Sequence, residues 1–468
     1  MDRIKKSRRN IIIVLVTAIL ILGSGYFNWC FIEDDSPGYM HFVAARDPLY
    51  PIFLAVFRFI FGDNYLHGVI VAQCILATFS IYYAMNKITE LFCMGKVLQV
   101  FIYVFLVAPF GLSTLWNIPR YAYPHVVLTE GLTYPLFYLF LVEAVCALLN
   151  KSKKHFCVSA FILFIMTLVR FHMFVFAPVL ALVWVLSSTN KIKGILGGIA
   201  VIVTIFLMSN LVGSVYRYFI TDGYTSSSEN EITLLANAIY ASDLEDAELI
   251  QDDGIRRMFL RVYDQIEARK VIHNYAGKGI YNNGKWLAYS HDNIKGDILR
   301  EELFVYIEEK GYSRNTKLDY AGDLIIQEGA RELRKVLIQD NWTQWIYDRL
   351  SSFVYGLTIA TICITPPSLL NICHIISAVF WIAMVMLVVS ALRIRKMNRI
   401  VFFAIIVMSC VLINVAGVSM TIFVHYRYTD FAWGWLIIAT VLLIRDTLMP
   451  CICKLRRGKS DESVLGMD

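Results

Sequence analysis

Acidic residues are concentrated where an apolar segment ends near the start of the chain. Glu33, Asp34 and Asp35 follow the apolar run "IIIVLVTAILILGSGYF", and Tyr39 and His41 come about one helical turn later. Carboxylates beside a water-filled cavity can act as general bases, whereas carboxylates before a helix can simply cap its N-terminus. The sequence leaves both interpretations open for Asp34 and Asp35.

A second candidate carboxylate lies inside an apolar run. Glu130 occurs in "HVVLTEGLTYPLFYLF", near the start of a predicted membrane helix. A carboxylate at that depth is costly unless it has a partner, so it should face the interior of a helix bundle. Asp35, Arg120 or a bound ligand could interact with it there. A purely structural pair with Arg120 or His125 is the alternative.

Two later segments place arginine next to aromatic residues and histidine. Arg170 and His172 occur in "LVRFHMFV", between two apolar runs, and "HYRYTD" near the C-terminus contains His425, Arg427 and Tyr428. These arginines are candidates for binding a lipid phosphate. In the competing interpretation they reach ordinary headgroups, and the aromatic residues belong to an interfacial belt.

The composition indicates the environment in which these residues lie. The chain has 468 residues, of which 57% are hydrophobic and 17% are charged, and its mean hydropathy is +0.58. Soluble domains carry about 25% charged residues. We therefore predict an all-α polytopic membrane protein with about ten transmembrane helices, within a range of about 8–12. The predicted segments lie near 11–29, 66–86, 97–116, 125–149, 156–170, 172–188, 194–213, 372–392, 399–421 and 431–447.

Basic residues predict the orientation in the membrane. If the N-terminus is cytoplasmic, the predicted inner segments contain 21 of the 43 lysines and arginines. This is the distribution that the positive-inside rule requires. An even number of helices returns the C-terminus to the cytoplasm, and we predict a bacterial plasma membrane protein, with a protein of the endoplasmic reticulum as the alternative.

Outside the long hydrophilic segment, the basic residues of the predicted outer face are all arginines. They are Arg46, Arg58, Arg120, Arg170 and Arg427. Arginine presents a planar fork of donors that suits phosphate or carboxylate, whereas lysine acts as a point charge. The pattern favours an anionic ligand on the outer face.

The charge distribution divides the chain into regions. An N-terminal membrane module, 1–213, includes a first outer loop at 28–65, which should form juxtamembrane helices. The region 214–350 is a hydrophilic external insert with 17 basic and 23 acidic residues, and its apolar residues recur at helical spacing. The C-terminal membrane helices, 351–447, and a cytoplasmic tail, 448–468, follow.

Three motifs together resemble those of the GT-C glycosyltransferases. They are "DDSPGYMHFVAARDPLYPIFLAVFRFIFG", "LTEGLTYPLFYLFL" and the later "HYRY". The chain is similar to the bacterial branch related to protein O-mannosyltransferases and lipid A aminoarabinose transferases. The resemblance covers residues 10–215 and, more loosely, 340–445, but not the insert.

The resemblance implies roles for individual residues. The family's catalytic carboxylate corresponds to Asp35, with Asp34 as the alternate, and its glutamate at the start of a mid-bundle helix corresponds to Glu130. Its Arg-Tyr pair, associated with the donor phosphate, corresponds to Arg427 and Tyr428.

The resemblance also implies supporting roles for other residues near the donor phosphate and the substrate. Arg120 and Arg170 would help to bind the phosphate, and Tyr39, His41 and His425, together with Glu130, would position the substrate.

The implied activity is the transfer of a sugar, with inversion, from a polyprenyl-phosphate donor in the membrane. The acceptor would be a glycan, lipid or protein on the outer face, and no nucleic acid is expected as a partner. No cofactor is expected, and a divalent cation on the acidic cluster is the less favoured alternative. Two other functions stay open, namely a transporter or flippase and a lipid-carrier-dependent glycan ligase or polymerase.

Overall fold

The molecule is helical throughout the part that a computed structural model describes. This part comprises residues 2–26, 28–111, 122–221, 223, 228–312, 320–359, 370–395 and 398–446. These ranges contain no β-strand, only an isolated bridge between Phe31 and Val126. The predicted all-α class is confirmed.

The helices fall into three consecutive groups. The first group comprises α1 Asp2–Gly23, α2 Ser36–Met40, α3 Leu49–Phe61, α4 Tyr65–Phe92, α5 Lys96–Gly111, α6 Glu130–Leu149, α7 Lys153–Val169, α8 Ala177–Ser187 and α9 Lys191–Thr221. The second comprises α10 Ser228–Tyr240, α11 Asp253–Ala268, α12 Ile280–Asp292, α13 Arg300–Glu309, α14 Tyr320–Asp340 and α15 Trp342–Ile359. The third comprises α16 Leu370–Arg395, α17 Arg399–Thr421 and α18, residues 430–446.

Several helices have the length and composition needed to cross a membrane. Among the described residues there are five such stretches: Leu49–Phe92, Glu130–Leu149, Lys191–Thr221, Ile372–Arg393 and Arg399–Thr421. A described helix also overlaps every segment that the sequence predicted to span. These helices support a membrane protein, while the number of spans and their orientation stay predictions.

One predicted helix begins later than expected. Residues 125–129 precede α6 and are not part of it, and the first three of them pair with the first outer loop. The Phe31 N–H donates to the His125 carbonyl at 2.8 Å, and the Val127 N–H donates to the Phe31 carbonyl at 3.0 Å. Glu130 is consequently the first residue of α6 rather than a residue inside it.

Buried apolar side chains form two separate cores. The larger core joins the first and third groups of helices, and α6 lies deep within it, since 83% of its apolar window is buried. The second core lies within the insert and contains Leu235, Phe259, Leu303 and Leu333. The insert is therefore helical, as predicted, and packs around its own apolar side chains.

Candidate functional site

A large cavity lies between the first outer loop, the start of α6, the segment after α7 and the insert. Its volume is about 1530 Å³. Most of the residues predicted from the sequence line it: Asp34, Asp35, Tyr39, His41, Glu130, Arg170, Arg427 and Tyr428. Arg120 lies outside the described residues, and His425 is not part of the lining.

Asp35 joins two arginines from distant parts of the chain. Its Oδ1 accepts a hydrogen bond from Arg46 Nη2 at 2.8 Å, and its Oδ2 accepts one from Arg427 Nη2 at 3.2 Å. Although Asp35 directly precedes α2, its side chain makes no capping hydrogen bond. The capping interpretation of Asp35 is therefore wrong, and this carboxylate links the first loop to the "HYRY" segment.

The two arginines also change the acidity of Asp35. Burial alone would raise the pKa of the Asp35 carboxyl, but the charges of Arg46 and Arg427 outweigh burial and lower this pKa to about 2. A carboxylate with so low a pKa is a weak proton acceptor near neutral pH. While both ion pairs persist, Asp35 is poorly suited to act as a general base.

Local packing in the first loop positions Arg46. Its guanidinium lies over the Tyr39 ring, 4.7 Å from the centroid. A Cβ atom at Gly38 would lie 2.7 Å from Arg46 Nε, too close for a non-bonded contact. Glycine at this position therefore leaves the space that Arg46 needs to reach Asp35. The sequence predicts Arg46 only as one of five arginines on the outer face, without a role of its own.

Glu130 has a buried partner that the sequence did not suggest. Arg170 Nη1 donates to Glu130 Oε1 at 2.6 Å, and the side chains of Glu130 and Arg170 are 3% and 19% exposed. The alternative pair with His125 is wrong, since both ring nitrogens of His125 lie within 3.0 Å of backbone carbonyls, those of Trp29 and Ile21, and the alternative pair with Arg120 falls outside the described residues. Arg170 is thus directed into the protein rather than toward lipid headgroups.

Arg170 also supports the "HYRY" segment. Its guanidinium lies 4.7 Å from the centroid of the Tyr428 ring, a cation–π contact. On the other side, the Tyr134 hydroxyl donates to the Arg427 carbonyl at 2.6 Å, and Asn414 Nδ2 donates to the Tyr428 carbonyl at 2.8 Å. Contacts from α6 and α17 therefore fix the backbone that carries Arg427.

The remaining predicted residues differ in their surroundings. Asp34 and His41 are exposed side chains on the cavity wall, and Asp34 makes no ion pair with any described residue. His425 packs its ring against Tyr428, with 6.3 Å between centroids. Burial and the nearby charge of Arg427 lower the pKa of His425 to about 4, so this imidazole is neutral near pH 7.

Asp47 is a cavity residue that the sequence analysis missed. Its Oδ2 accepts the Phe171 N–H at 2.8 Å and thereby fastens the first loop to the segment that carries Arg170. Burial raises the pKa of the Asp47 carboxyl to about 6, despite this hydrogen bond and the neighbouring arginines. The signal in the sequence, an aspartate between arginine and proline in a loop, is common and weak.

The insert contributes a charged wall to the same cavity. Glu229 at the start of α10 accepts hydrogen bonds from Arg300 Nη2 at 2.8 and 2.9 Å and lies 2.7 Å from Lys295 Nζ. Lys295 belongs to a π-helical segment, Asn293–Leu299. Such segments are frequent at functional sites. Nothing in the sequence distinguished these residues from the other charges of the insert.

Comparisons with models of protein families, with curated proteins and with solved structures found no match to this chain. Within the described ranges, no group of three or more His, Cys, Asp or Glu side chains has an arrangement that could hold a metal ion. The expectation that no metal is required stays a prediction.

Proposed function

We propose that the protein is an integral-membrane glycosyltransferase. It moves a sugar from a polyprenyl-phosphate donor to an acceptor on the outer face of the membrane. The observation that carries this proposal is the convergence of Asp35, Arg46 and Arg427 in one large cavity at the ends of apolar helices. This provides carboxylates for the acceptor and cations for the phosphate in the same space.

The proposal includes the finer topology. About ten membrane helices, with both termini in the cytoplasm, would place the cavity and the insert on the outer face. The lipid tail of the donor would lie between membrane helices, and the phosphate would meet the arginines at headgroup depth. The insert would close the cavity over the acceptor.

The chemistry proceeds by direct displacement. The acceptor oxygen forms a bond to the anomeric carbon, the bond from that carbon to the phosphate oxygen breaks, and the configuration inverts. The acceptor proton passes to a carboxylate, Asp35 or Asp34, and the bonding electron pair leaves with the polyprenyl phosphate. The leaving phosphate gains one negative charge, which Arg427 stabilises.

The charged cluster at Asp35 and Glu130 suits a monophosphate donor. Arg46, Arg170 and Arg427 face Asp35 and Glu130, so this group of five carries one net positive charge, within a lining that has six cations and seven carboxylates in all. A sugar-phosphate diester carries one negative charge and complements it, whereas a diphosphate carries two. This observation favours the proposed donor over the diphosphate-linked substrate of a ligase or polymerase.

A transporter or flippase is the second candidate. In that class, ionisable residues line a path near the middle of the membrane. Here Arg46 and Arg427 flank Asp35 in loops at the ends of helices. This arrangement suits chemistry at one face better than passage across the bilayer.

The test is sugar transfer by the purified protein in liposomes, using a panel of radiolabelled undecaprenyl-phosphate sugars. We expect one donor to be consumed by the wild type and not by Arg427→Ala. Arg58→Ala is the matched control, because Arg58 is an outer-loop arginine that bonds Tyr65 away from the cavity lining and should keep full activity. If no donor is consumed while a labelled lipid is moved between leaflets, the transporter is the correct function.

A further inference from the structure

We infer that Arg46 and Arg427 form a single phosphate site that the carboxylate of Asp35 occupies in the ligand-free protein. The phosphate of the donor displaces this carboxylate and so exposes Asp35 to the acceptor. The inference rests on the proposed function, because it assigns the donor site and an order of binding to that enzyme.

The geometry of the two ion pairs supports a shared site. The two guanidinium groups come from positions far apart in the chain and meet on opposite oxygens of one carboxylate, at 2.8 and 3.2 Å. Each uses Nη2 for this contact, so neither forms the two-pronged pair that arginine can make with a carboxylate. A phosphate group presents more acceptor oxygens than a carboxylate and can engage both forks more completely.

Exposure distinguishes this site from the neighbouring ion pair. The side chains of Asp35, Arg46 and Arg427 are 35%, 29% and 24% exposed and line the cavity. In contrast, Glu130 is only 3% exposed in its pair with Arg170. A ligand in the cavity can therefore compete with Asp35, whereas Glu130 is shielded and holds Arg170 in place.

Charge balance makes the exchange feasible. The two arginines balance Asp35 and the adjacent Asp34, so a phosphate diester can approach without net repulsion. Once the phosphate interacts with the arginines, Asp35 loses the two partners that keep it a weak proton acceptor. Donor binding consequently precedes activation of the base, and the acceptor binds second.

The test measures binding of undecaprenyl phosphate, the leaving group of the proposed reaction, which shares its lipid chain and phosphate with the donor, to the full-length protein in nanodiscs of phosphatidylcholine. A ligand that must displace an internal competitor binds more weakly, because its apparent affinity falls in proportion to the fraction of protein in which the site is free. We expect Asp35→Asn to bind about tenfold more tightly than wild type, because the competing charge is gone. We expect Arg46→Gln to bind about tenfold more weakly, because one arm of the site is lost.

Two matched variants serve as controls. Asp63→Asn removes an exposed carboxylate of the first outer loop that lies outside the cavity lining, and Arg58→Gln removes an arginine outside the lining. Both should bind like wild type. Thermal unfolding of every variant establishes that the protein is folded. An affinity for Asp35→Asn that is unchanged or weaker, in folded protein, would overturn the inference.

Competition distinguishes the sources of phosphate. Inorganic phosphate that competes weakly, with the same dependence on Asp35 and Arg46, supports a phosphate site that gains affinity from the polyprenyl chain. If phosphatidylglycerol competes as well as undecaprenyl phosphate, the site binds ordinary headgroups and the assignment to the donor is overturned.

Failure of the inference and failure of the proposed function give different results. If the variants show the expected binding pattern but no sugar is transferred from any donor, the phosphate site stands and the enzymatic function is wrong. If sugar is transferred but neither Asp35→Asn nor Arg46→Gln changes binding, the function stands and the shared site is wrong.

Discussion

The buried pair between Glu130 and Arg170 gives the sharpest prediction about stability. In Glu130→Gln the charge is lost from a side chain that is 3% exposed, while Arg170 keeps its positive charge at 19% exposure. Removing one partner of a buried pair typically costs about 3–5 kcal/mol. Because glutamine can still accept a hydrogen bond and Arg170 retains some solvent, we expect about 2–3 kcal/mol here.

A double-mutant cycle isolates the pair from other effects. Glu130→Gln, Arg170→Gln and the double variant would be compared by chemical unfolding in detergent micelles. Because the two side chains lie 2.6 Å apart, the second substitution should lower the free energy of unfolding much less once the first is present. The coupling free energy between the two residues should be about 1–3 kcal/mol. Additive single effects would refute the reasoning, because they would mean that the two charges do not interact.

A variant on the same helix separates stability from function. Glu143 is also buried in α6 and lies 2.7 Å from His155 Nδ1, far along the helix from the cavity. Glu143→Gln should destabilise the protein but leave binding of undecaprenyl phosphate unchanged. Glu130→Gln should reduce both, because Arg170 supports the Tyr428 ring beside Arg427.

Three further predictions concern the first loop. Gly38→Ala should weaken binding of undecaprenyl phosphate in the nanodisc assay, because the added Cβ would lie 2.7 Å from Arg46 Nε; unchanged binding would contradict this. The pKa of Asp35 is lowered on folding, so its ion pairs contribute stability above about pH 4, and this contribution is lost as the pH falls toward 2. The free energy of unfolding of Asp35→Asn should therefore fall less than that of the wild type between about pH 4 and pH 2. The pKa of Asp47 is instead raised to about 6, so this group favours folding below about pH 4 and that contribution is lost as the pH rises through 6. Asp47→Asn, which can still accept the Phe171 N–H, should therefore raise the unfolding midpoint at pH 7.5 relative to wild type and bring no gain at pH 4.

Charges in apolar surroundings were the features that the sequence predicted best. Asp35, Glu130 and Arg427 stand out because a charged residue beside a long apolar run needs a physical reason. The same runs predicted the helices, since each is long and contains few breaks. The structure brings all three of these residues to one cavity.

The partners of these charges could not be predicted in the same way. Arg170 pairs with Glu130 because α6 and α7 are packed side by side and Arg170 directly follows α7, and no local pattern encodes that choice. Residues 125–129 looked like helix from their apolar character. Val126 is extended instead, because it forms a bridge with Phe31, a contact between two loops that the β-branched valines favour only weakly.

The helices of the insert could be predicted from the sequence, but the residues that it contributes to the cavity could not. Its helices follow from periodicity, as in α11, where Ile255, Met258, Phe259 and Val262 are buried at spacings of three or four. Lys295 reaches the cavity because a π-helical segment changes the register between α12 and α13. A shift of this kind leaves no signal in a sequence that already contains 40 charged residues over positions 214–350.

Asp34 and Asp35 are neighbours in the chain, yet their surroundings assign them different properties. Asp35 is held by two arginines and is a weak base, whereas Asp34 is exposed on the cavity wall and pairs with no described cation. Adjacent carboxylates in different environments commonly divide two tasks between them. If the donor phosphate does not displace Asp35, Asp34 is the next candidate for the base, and Asp34→Asn rather than Asp35→Asn should then abolish transfer. Transfer by the two variants, compared with the binding of Asp35→Asn, therefore shows which of the two carboxylates is the base.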